Sequence, residues 1–97
     1  MKIDLSYEFK DLKGATIQGA DGSKLTLSDV ASQALLLGFQ GEEQSAEEKV
    51  KRFKLAQRLG LAVEVEVKAE DIVLIKQCVG RAFGALIVGP AFDILDA

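Results

Sequence analysis

The spacing of apolar residues changes period along this chain, and each change marks a different kind of element. Apolar and polar residues alternate over residues 2–10 and again over residues 62–68. A period of two is typical of a strand with one buried face. Elsewhere the apolar residues recur every three or four positions, which is the pattern of amphipathic helices. A chain of 97 residues with this pattern predicts a single α+β domain.

The predicted sheet is small and mainly antiparallel. Asp21-Gly22 is a dipeptide favoured in hairpins, because glycine accepts a positive φ without a steric clash. It lies between two segments with a weaker alternating pattern. Residues 2–27 are therefore predicted to form a small antiparallel meander or hairpin. The expected strands lie at residues 2–10, 15–18, 24–27 and 62–68.

Three principal helices are predicted, at residues 29–37, 46–59 and 69–83. Ser28 is the expected N-cap of the first, and Ser45 with Glu48 forms a capping box before the second. Pro90 follows a glycine and is expected to end any preceding helix, with a short terminal helix or turn after it. The fold class is therefore α+β, with a small antiparallel sheet packed against three helices and a short C-terminal helix or turn.

The same two periods predict which side chains are buried. Each member of the predicted core is an apolar residue on the inward side of its strand or helix. These residues are Ile3, Leu5, Tyr7, Phe9, Leu25, Leu27, Val30, Ala34, Val50, Phe53, Leu59, Val63, Val65, Ile72, Ile75, Val79 and Phe83.

The cysteine and histidine counts limit the functions that are open. Cys78 is the only cysteine, so it has no partner for an internal disulfide and is expected to be a small buried hydrophobe in a reducing, cytoplasmic location. Histidine, the commonest general base near neutral pH and the commonest metal ligand, is absent from the sequence. We therefore expect no enzymatic activity, no metal site and no cofactor.

The apolar segments are shorter than a membrane protein requires. Residues 2–10 alternate where a secretory leader has a continuous apolar run. Residues 82–92 are eleven residues without a charge, about half of the roughly 20 that cross a bilayer. The net charge of −3 gives no general attraction to nucleic acid or to an anionic membrane.

Glycine patterns near the end of the chain match two known motifs only in part. Gly84 and Gly89 have the separation found in a phosphate-binding loop. Pro90 and Ala91, however, stand where that loop needs a lysine and a hydroxyl residue. Gly80 and Gly84 also match G-x-x-x-G, which in a segment this short indicates close packing of a soluble helix.

Two charged clusters have both a functional and a structural interpretation. Lys51, Lys54 and Arg58 form a basic stripe on the second helix. Nucleic-acid binding is the less favoured explanation of this stripe, because acidic residues precede it and the chain is acidic overall. Glu64 and Glu66 share one strand face, where paired carboxylates could catalyse or bind a cation. Protection of a sheet edge is the favoured explanation for that pair.

An apolar partner surface is expected near the C-terminus, because residues 82–92 contain more uncharged side chains than one helix face can bury. The expected partner is another protein or a second copy of the chain, and neither nucleic acid nor membrane is expected. The candidate surface comprises Leu86, Ile87, Val88, Pro90 and Phe92.

Three segments together resemble a family of short, largely uncharacterised proteins of tailed bacteriophages and prophages. They are LTLSDVASQALL (25–36), EEKVKRFKLAQR (47–58) and AEDIVLIKQCVGRAFGALIVGPAFDIL (69–95). Family members often have serine or threonine where this chain has Lys68, so the third helix is expected to lack that cap. The resemblance implies a phage or prophage origin and a place in the bacterial cytoplasm, without implying an activity. Two roles stay open: an interaction protein directed at a host or phage macromolecule, and an accessory of head–tail or tail assembly.

Overall fold

A computed structural model describes residues 2–19, 22–37, 45–61 and 63–96. These residues form four helices and a two-stranded antiparallel sheet. In chain order the elements are β1 (Lys2–Asp4), α1 (Leu27–Leu36), α2 (Ala46–Leu61), β2 (Glu64–Glu66), α3 (Ala69–Ala82) and α4 (Ala85–Leu95). The predicted α+β class is confirmed.

The sheet joins the start of the chain to the segment between α2 and α3. β1 and β2 pair with Ile3 opposite Val65, and Ile3 is buried. Beyond the paired residues, the N–H of Leu5 donates to the carbonyl of Val63 at 2.7 Å, and the Asp4 carboxylate accepts hydrogen bonds from the backbone N–H and the hydroxyl of Ser6. Each strand has three residues, so both are shorter than predicted.

A ring of three backbone hydrogen bonds organises the chain between β1 and α1. The N–H of Phe9 donates to the carbonyl of Leu25 at 2.9 Å, and the N–H of Leu25 donates to that of Ile17 at 2.8 Å. The N–H of Ile17 closes the ring by donating to the carbonyl of Phe9 at 2.9 Å. The strands predicted at 15–18 and 24–27 are consequently single antiparallel bridges, which pair Glu8 with Thr26, Lys10 with Thr16 and Gln18 with Lys24.

Two turns lie within this ring, and each contains a glycine in the left-handed region. Gly14 has a φ of 86° and donates its N–H to the carbonyl of Asp11, while Gly22 has a φ of 83° and donates to that of Gly19. Only glycine adopts this region at little cost. The predicted turn at Asp21-Gly22 is thus supported by its glycine, whereas Asp21 lies outside the described residues.

α1 begins at Leu27 because Thr26, rather than Ser28, is its N-cap. The Thr26 hydroxyl accepts a hydrogen bond from the N–H of Asp29 at 3.3 Å, and the Asp29 carboxylate accepts one from the N–H of Thr26 at 3.2 Å. This reciprocal pair is a capping box. The cap predicted at Ser28 is wrong. Its hydroxyl instead donates to the carbonyl of Leu59 at 2.6 Å and ties α1 to α2.

The starts of α2 and α3 differ in how they are capped. Ser45 accepts a hydrogen bond from the N–H of Glu48 at 3.1 Å, so the Ser45 half of the predicted capping box is confirmed. At α3, Lys68 has no side chain that can accept such a bond. The carboxylate of Asp71 supplies the other half of the box by accepting the N–H of Lys68 at 3.1 Å.

The buried face of α2 is rotated from the predicted one. Val50 and Phe53, predicted to be core residues, are 51% and 50% exposed. The buried stripe runs through Arg52 instead, because its long aliphatic stem can lie in an apolar environment while its guanidinium pairs with Glu48 at 3.3 Å. The buried side chains of α2 are Arg52, Leu55, Ala56 and Leu59.

Eleven of the predicted core residues are buried: Ile3, Leu5, Phe9, Leu25, Leu27, Val30, Ala34, Leu59, Ile72, Ile75 and Val79. Cys78 is buried as well, as expected. Val65 and Phe83 are half-buried. Tyr7 is 38% exposed and contacts only the edge of the core, with its ring 5.1 Å from that of Phe9. Val63 is 69% exposed, because it precedes β2 at the end of the sheet.

Pro90 lies inside α4 rather than before it, so the predicted break is wrong. The helix begins at Ala85, after Gly84, whose carbonyl accepts the N–H groups of Ile87 and Val88 at 3.1 and 3.0 Å. Proline in the second turn removes one helical hydrogen bond without preventing the helix. The predicted short terminal element is therefore a helix of 11 residues.

Candidate interaction surfaces

α4 packs against α3 and β1 and covers one side of the core. Ala91 and Leu95 are the residues of this helix that are fully buried. Leu86 is 40% exposed, and the other four members of the predicted partner surface are half-buried. The side chains of the predicted partner surface are therefore partly packed against the core and partly exposed to solvent. Its half-buried members are Ile87, Val88, Pro90 and Phe92.

The C-terminal half of α4 is fixed to α3 by one cluster of contacts. The ammonium of Lys76 lies 5.1 Å from the centre of the Phe92 ring and forms an ion pair with Asp96. A cation over an aromatic face is attracted by the ring quadrupole. Asp93 is the one charged residue within α4. Ala85, Leu86 and Gly89 are the exposed residues in the first half of the helix and carry no charge, whereas Asp93 is the exposed residue in its second half. The uncharged exposed surface of α4 therefore lies at its start, around Leu86.

The two glycine patterns do not form the motifs that they resemble. Gly84 precedes α4 and Gly89 lies within it, so the intervening residues are helical rather than a phosphate-binding loop. Gly80 belongs to α3, which ends at Ala82, so Gly80 and Gly84 do not share a helix. The expected close packing is not found: a Cβ atom added at Gly80 would lie 3.6 Å from the Cζ atom of Phe92, an ordinary van der Waals distance, and one added at Gly84 would meet nothing within 4 Å.

A second apolar surface lies in a groove between α1 and α2, and the sequence did not predict it. The groove has a volume of about 330 Å³. Leu36 is 60% exposed and Phe53 is 50% exposed on its two sides. Three successive leucines at the end of α1 cannot all lie on one buried helix face. This pattern in the sequence could have indicated the exposed apolar surface. The groove is lined by Ser32, Leu36, Phe53, Ala56, Gln57 and Gly60.

The predicted basic stripe lines one wall of a cleft between α2 and the start of α3. Lys51, Lys54 and Arg58 lie together there, and Lys68 joins them from just before α3. The guanidinium of Arg58 donates a hydrogen bond to the backbone carbonyl of Glu66. The sequence predicted the stripe, but the position of Lys68 depends on how α2 and α3 pack. Leu55, Glu70 and Asp71 complete the lining.

The paired glutamates of β2 lie on the solvent side of the sheet. Glu64 and Glu66 are both exposed, and Glu64 forms an ion pair with Lys2 at 3.8 Å. Among the residues that the structure describes, no three histidine, cysteine or acidic side chains are grouped so that they could hold a metal ion. Charge on an exposed strand fits protection of a sheet edge.

None of the helices in the described ranges is both long and apolar enough to span a membrane. The comparisons with known proteins give no relative: no family model, curated protein or solved structure matches the chain. The resemblance to phage proteins therefore stays a prediction, and the case for a function rests on the surfaces described above.

Proposed function

We propose that this protein acts by binding another protein through the exposed start of α4, and that it catalyses no reaction. The observation that carries the proposal is the exposure of Leu86 in a helix with only one charged residue. Apolar side chains grouped at a surface favour association, because contact removes them from water. Ile87 and Val88 are half-buried beside Leu86 and enlarge the apolar area.

The proposed partner is a host or phage protein in the cytoplasm of a bacterial cell. The resemblance of the three segments to tailed-phage and prophage proteins supports this origin. A role as an accessory of head–tail or tail assembly is the alternative. The two roles differ in the partner: an assembly accessory binds virion proteins or itself, whereas a host-directed protein binds one host protein at a defined stoichiometry.

The test compares two exposed leucines. Leu86→Glu places a charge on the proposed surface, and Leu12→Glu makes the same change in a hairpin turn, where the leucine is 96% exposed. Sedimentation velocity would measure self-association. Affinity purification from infected cells, with identification of the bound protein, would measure partner binding. Circular dichroism would verify that both variants keep the native helix content.

We expect wild type and Leu12→Glu to retain the same partner or oligomer, and Leu86→Glu to lose it. A folded Leu86→Glu variant that binds as wild type does would overturn the proposed surface. Recovery of head or tail proteins would favour the assembly role, and recovery of one host protein would favour the host-directed role. Turnover of a small metabolite by the purified protein, with neither kind of partner recovered, would overturn the proposal as a whole.

A further inference from the structure

The basic cleft between α2 and the start of α3 concentrates positive charge in an acidic protein. Its lining has four basic and two acidic side chains, whereas the whole chain has a net charge of −3. Lys51, Lys54 and Lys68 form no ion pair with any residue that the structure describes. Three unpaired ammonium groups around one concave surface favour an anion there.

Arg58 is held in place within this cleft. Its guanidinium donates one hydrogen bond to the carbonyl of Glu66, which ties the side chain to the end of β2. A guanidinium has five N–H donors, so donors remain for a ligand. Asp71 also lines the cleft, but its carboxylate accepts the N–H of Lys68 and caps α3. Part of the acidic lining is therefore already engaged in the fold.

The shape and charge of the cleft favour a compact anion over a nucleic-acid strand. Lys51 and Arg58 are seven residues apart, which corresponds to about 10 Å along a helix. Glu47 lies one turn before Lys51, and Glu70 lies on the α3 side. A long polyanion following the stripe would pass Glu47 as well as Glu70, whereas a small ligand between the basic groups would not reach Glu47.

The cleft has a volume of about 410 Å³, within the roughly 300–1,000 Å³ of typical small-molecule sites. We propose that it binds a compact, multiply charged phosphate, such as a pyrophosphate group, through Lys51, Lys54, Arg58 and Lys68. This ligand can be free pyrophosphate or the polyphosphate of a nucleotide, because both present the same anionic oxygens. The site is separate from the surface of α4 proposed for partner binding.

The test is an NMR titration of the protein with pyrophosphate at constant ionic strength. Saturable shifts are expected at the amides of α2 and of the first turn of α3. A parallel titration with ADP, which also has two phosphate groups, separates the two sources: tighter binding of ADP would assign the site to a nucleotide, and equal or weaker binding would assign it to pyrophosphate.

Three variants make the assignment specific. Lys54→Gln and Lys68→Gln remove one charge each from opposite walls of the cleft. Each is expected to weaken binding about tenfold, because a hydrogen bond between charged groups is lost. Lys49→Gln removes the same charge from an exposed residue of α2 that does not line the cleft. The affinity of Lys49→Gln for pyrophosphate is expected to stay within twofold of the wild-type value.

Equal weakening by Lys49→Gln and Lys54→Gln would show general attraction to charge and would overturn the site. An unchanged affinity of Lys68→Gln for pyrophosphate would also overturn the site, because the α3 side of the cleft would then not contribute to binding. An absence of saturable shifts at 10 mM pyrophosphate, roughly the weakest affinity worth assigning to a site, would also overturn it. A 12-nucleotide single strand that binds more tightly than pyrophosphate would assign the basic stripe to nucleic acid instead.

Discussion

The ring of Phe92 lies beside Gly80, with its Cζ atom 3.6 Å from the position that a Cβ atom would occupy there. Phe92 belongs to α4 and Gly80 to α3, and the ammonium of Lys76, also in α3, lies over the same ring. A distance of 3.6 Å is ordinary van der Waals contact between carbon atoms. Gly80 is therefore close to its neighbour without needing to be a glycine.

Gly80→Ala is expected to stabilise the protein by about 0.5–1 kcal/mol, because alanine loses less conformational entropy than glycine in a helix interior. Urea denaturation would measure the change in the free energy of unfolding. Gly84→Ala is the control, since that residue precedes α4 and has no helix-interior gain to offer. A loss of stability in Gly80→Ala would mean that Phe92 cannot accommodate the methyl group.

Pro90→Ala is expected to stabilise the protein by about 2–3 kcal/mol. Proline in a helix interior costs about 3 kcal/mol relative to alanine, and the stiffer unfolded chain offsets up to about 1 kcal/mol of this. The variant also restores an N–H that can donate to the carbonyl of Leu86. Thermal unfolding followed by circular dichroism would measure the effect. A lower melting temperature would show that packing of the proline ring outweighs the missing hydrogen bond.

Phe53→Ala is expected to cost about 1 kcal/mol, since the ring is half exposed and only part of its transfer free energy is gained on folding. Leu55→Ala is expected to cost about 2–5 kcal/mol, because Leu55 is 4% exposed and its removal leaves a cavity. Chemical denaturation of both variants tests which face of α2 is buried. The reverse order would support the face predicted from the apolar spacing.

Thr26→Ala is expected to destabilise the protein by about 1 kcal/mol, the typical value for loss of an N-cap side chain. Thr26→Ser is the matched control, because it keeps the hydroxyl that accepts the N–H of Asp29. Denaturation midpoints of the two variants should differ accordingly. Equal stability of the two variants would show that the hydroxyl contributes nothing at this cap.

The pKa of Asp4 is held below its ordinary value, first by the hydrogen bond from the Ser6 hydroxyl and then by that from the Ser6 N–H. Because the folded-state pKa is the lower one, this contribution to stability is present above the unfolded-state pKa and is lost as the pH falls through the folded-state value. NMR titration of Ser6→Ala should show a pKa of Asp4 nearer the ordinary value but still lowered, since the backbone bond remains. A pKa identical to that of wild type would exclude the hydroxyl as a cause.

The sequence was sufficient for the α+β class and for the positions of three helices, because apolar spacing reports which face each element buries. It was insufficient where one residue behaves unlike its type. Arg52 places a charged side chain in the buried stripe of α2, which hides the true face from any count of apolar residues. Pro90 is accepted within α4 because the cost of one missing hydrogen bond does not exceed the gain from burying Ala91 and Leu95.

The candidate surfaces could also be predicted only in part, because they depend on how the helices pack against each other. Lys51, Lys54 and Arg58 fall on one side of α2 by helical spacing alone. Lys68 is adjacent to them only because α3 begins beside α2, and nothing in the local sequence specifies that approach. Likewise, the apolar composition of α4 predicted a surface, but contacts with α3 decide that Leu86 rather than Phe92 is its exposed member.

The hydrogen-bonded ring of Phe9, Ile17 and Leu25 has a consequence for the order of folding. Successive members of the ring are eight residues apart in the sequence, whereas Ile3 and its partner Val65 are separated by more than sixty residues. Closing a longer loop costs more entropy and takes longer. We therefore expect the hydrogen bonds among Phe9, Ile17 and Leu25 to form before β1 pairs with β2.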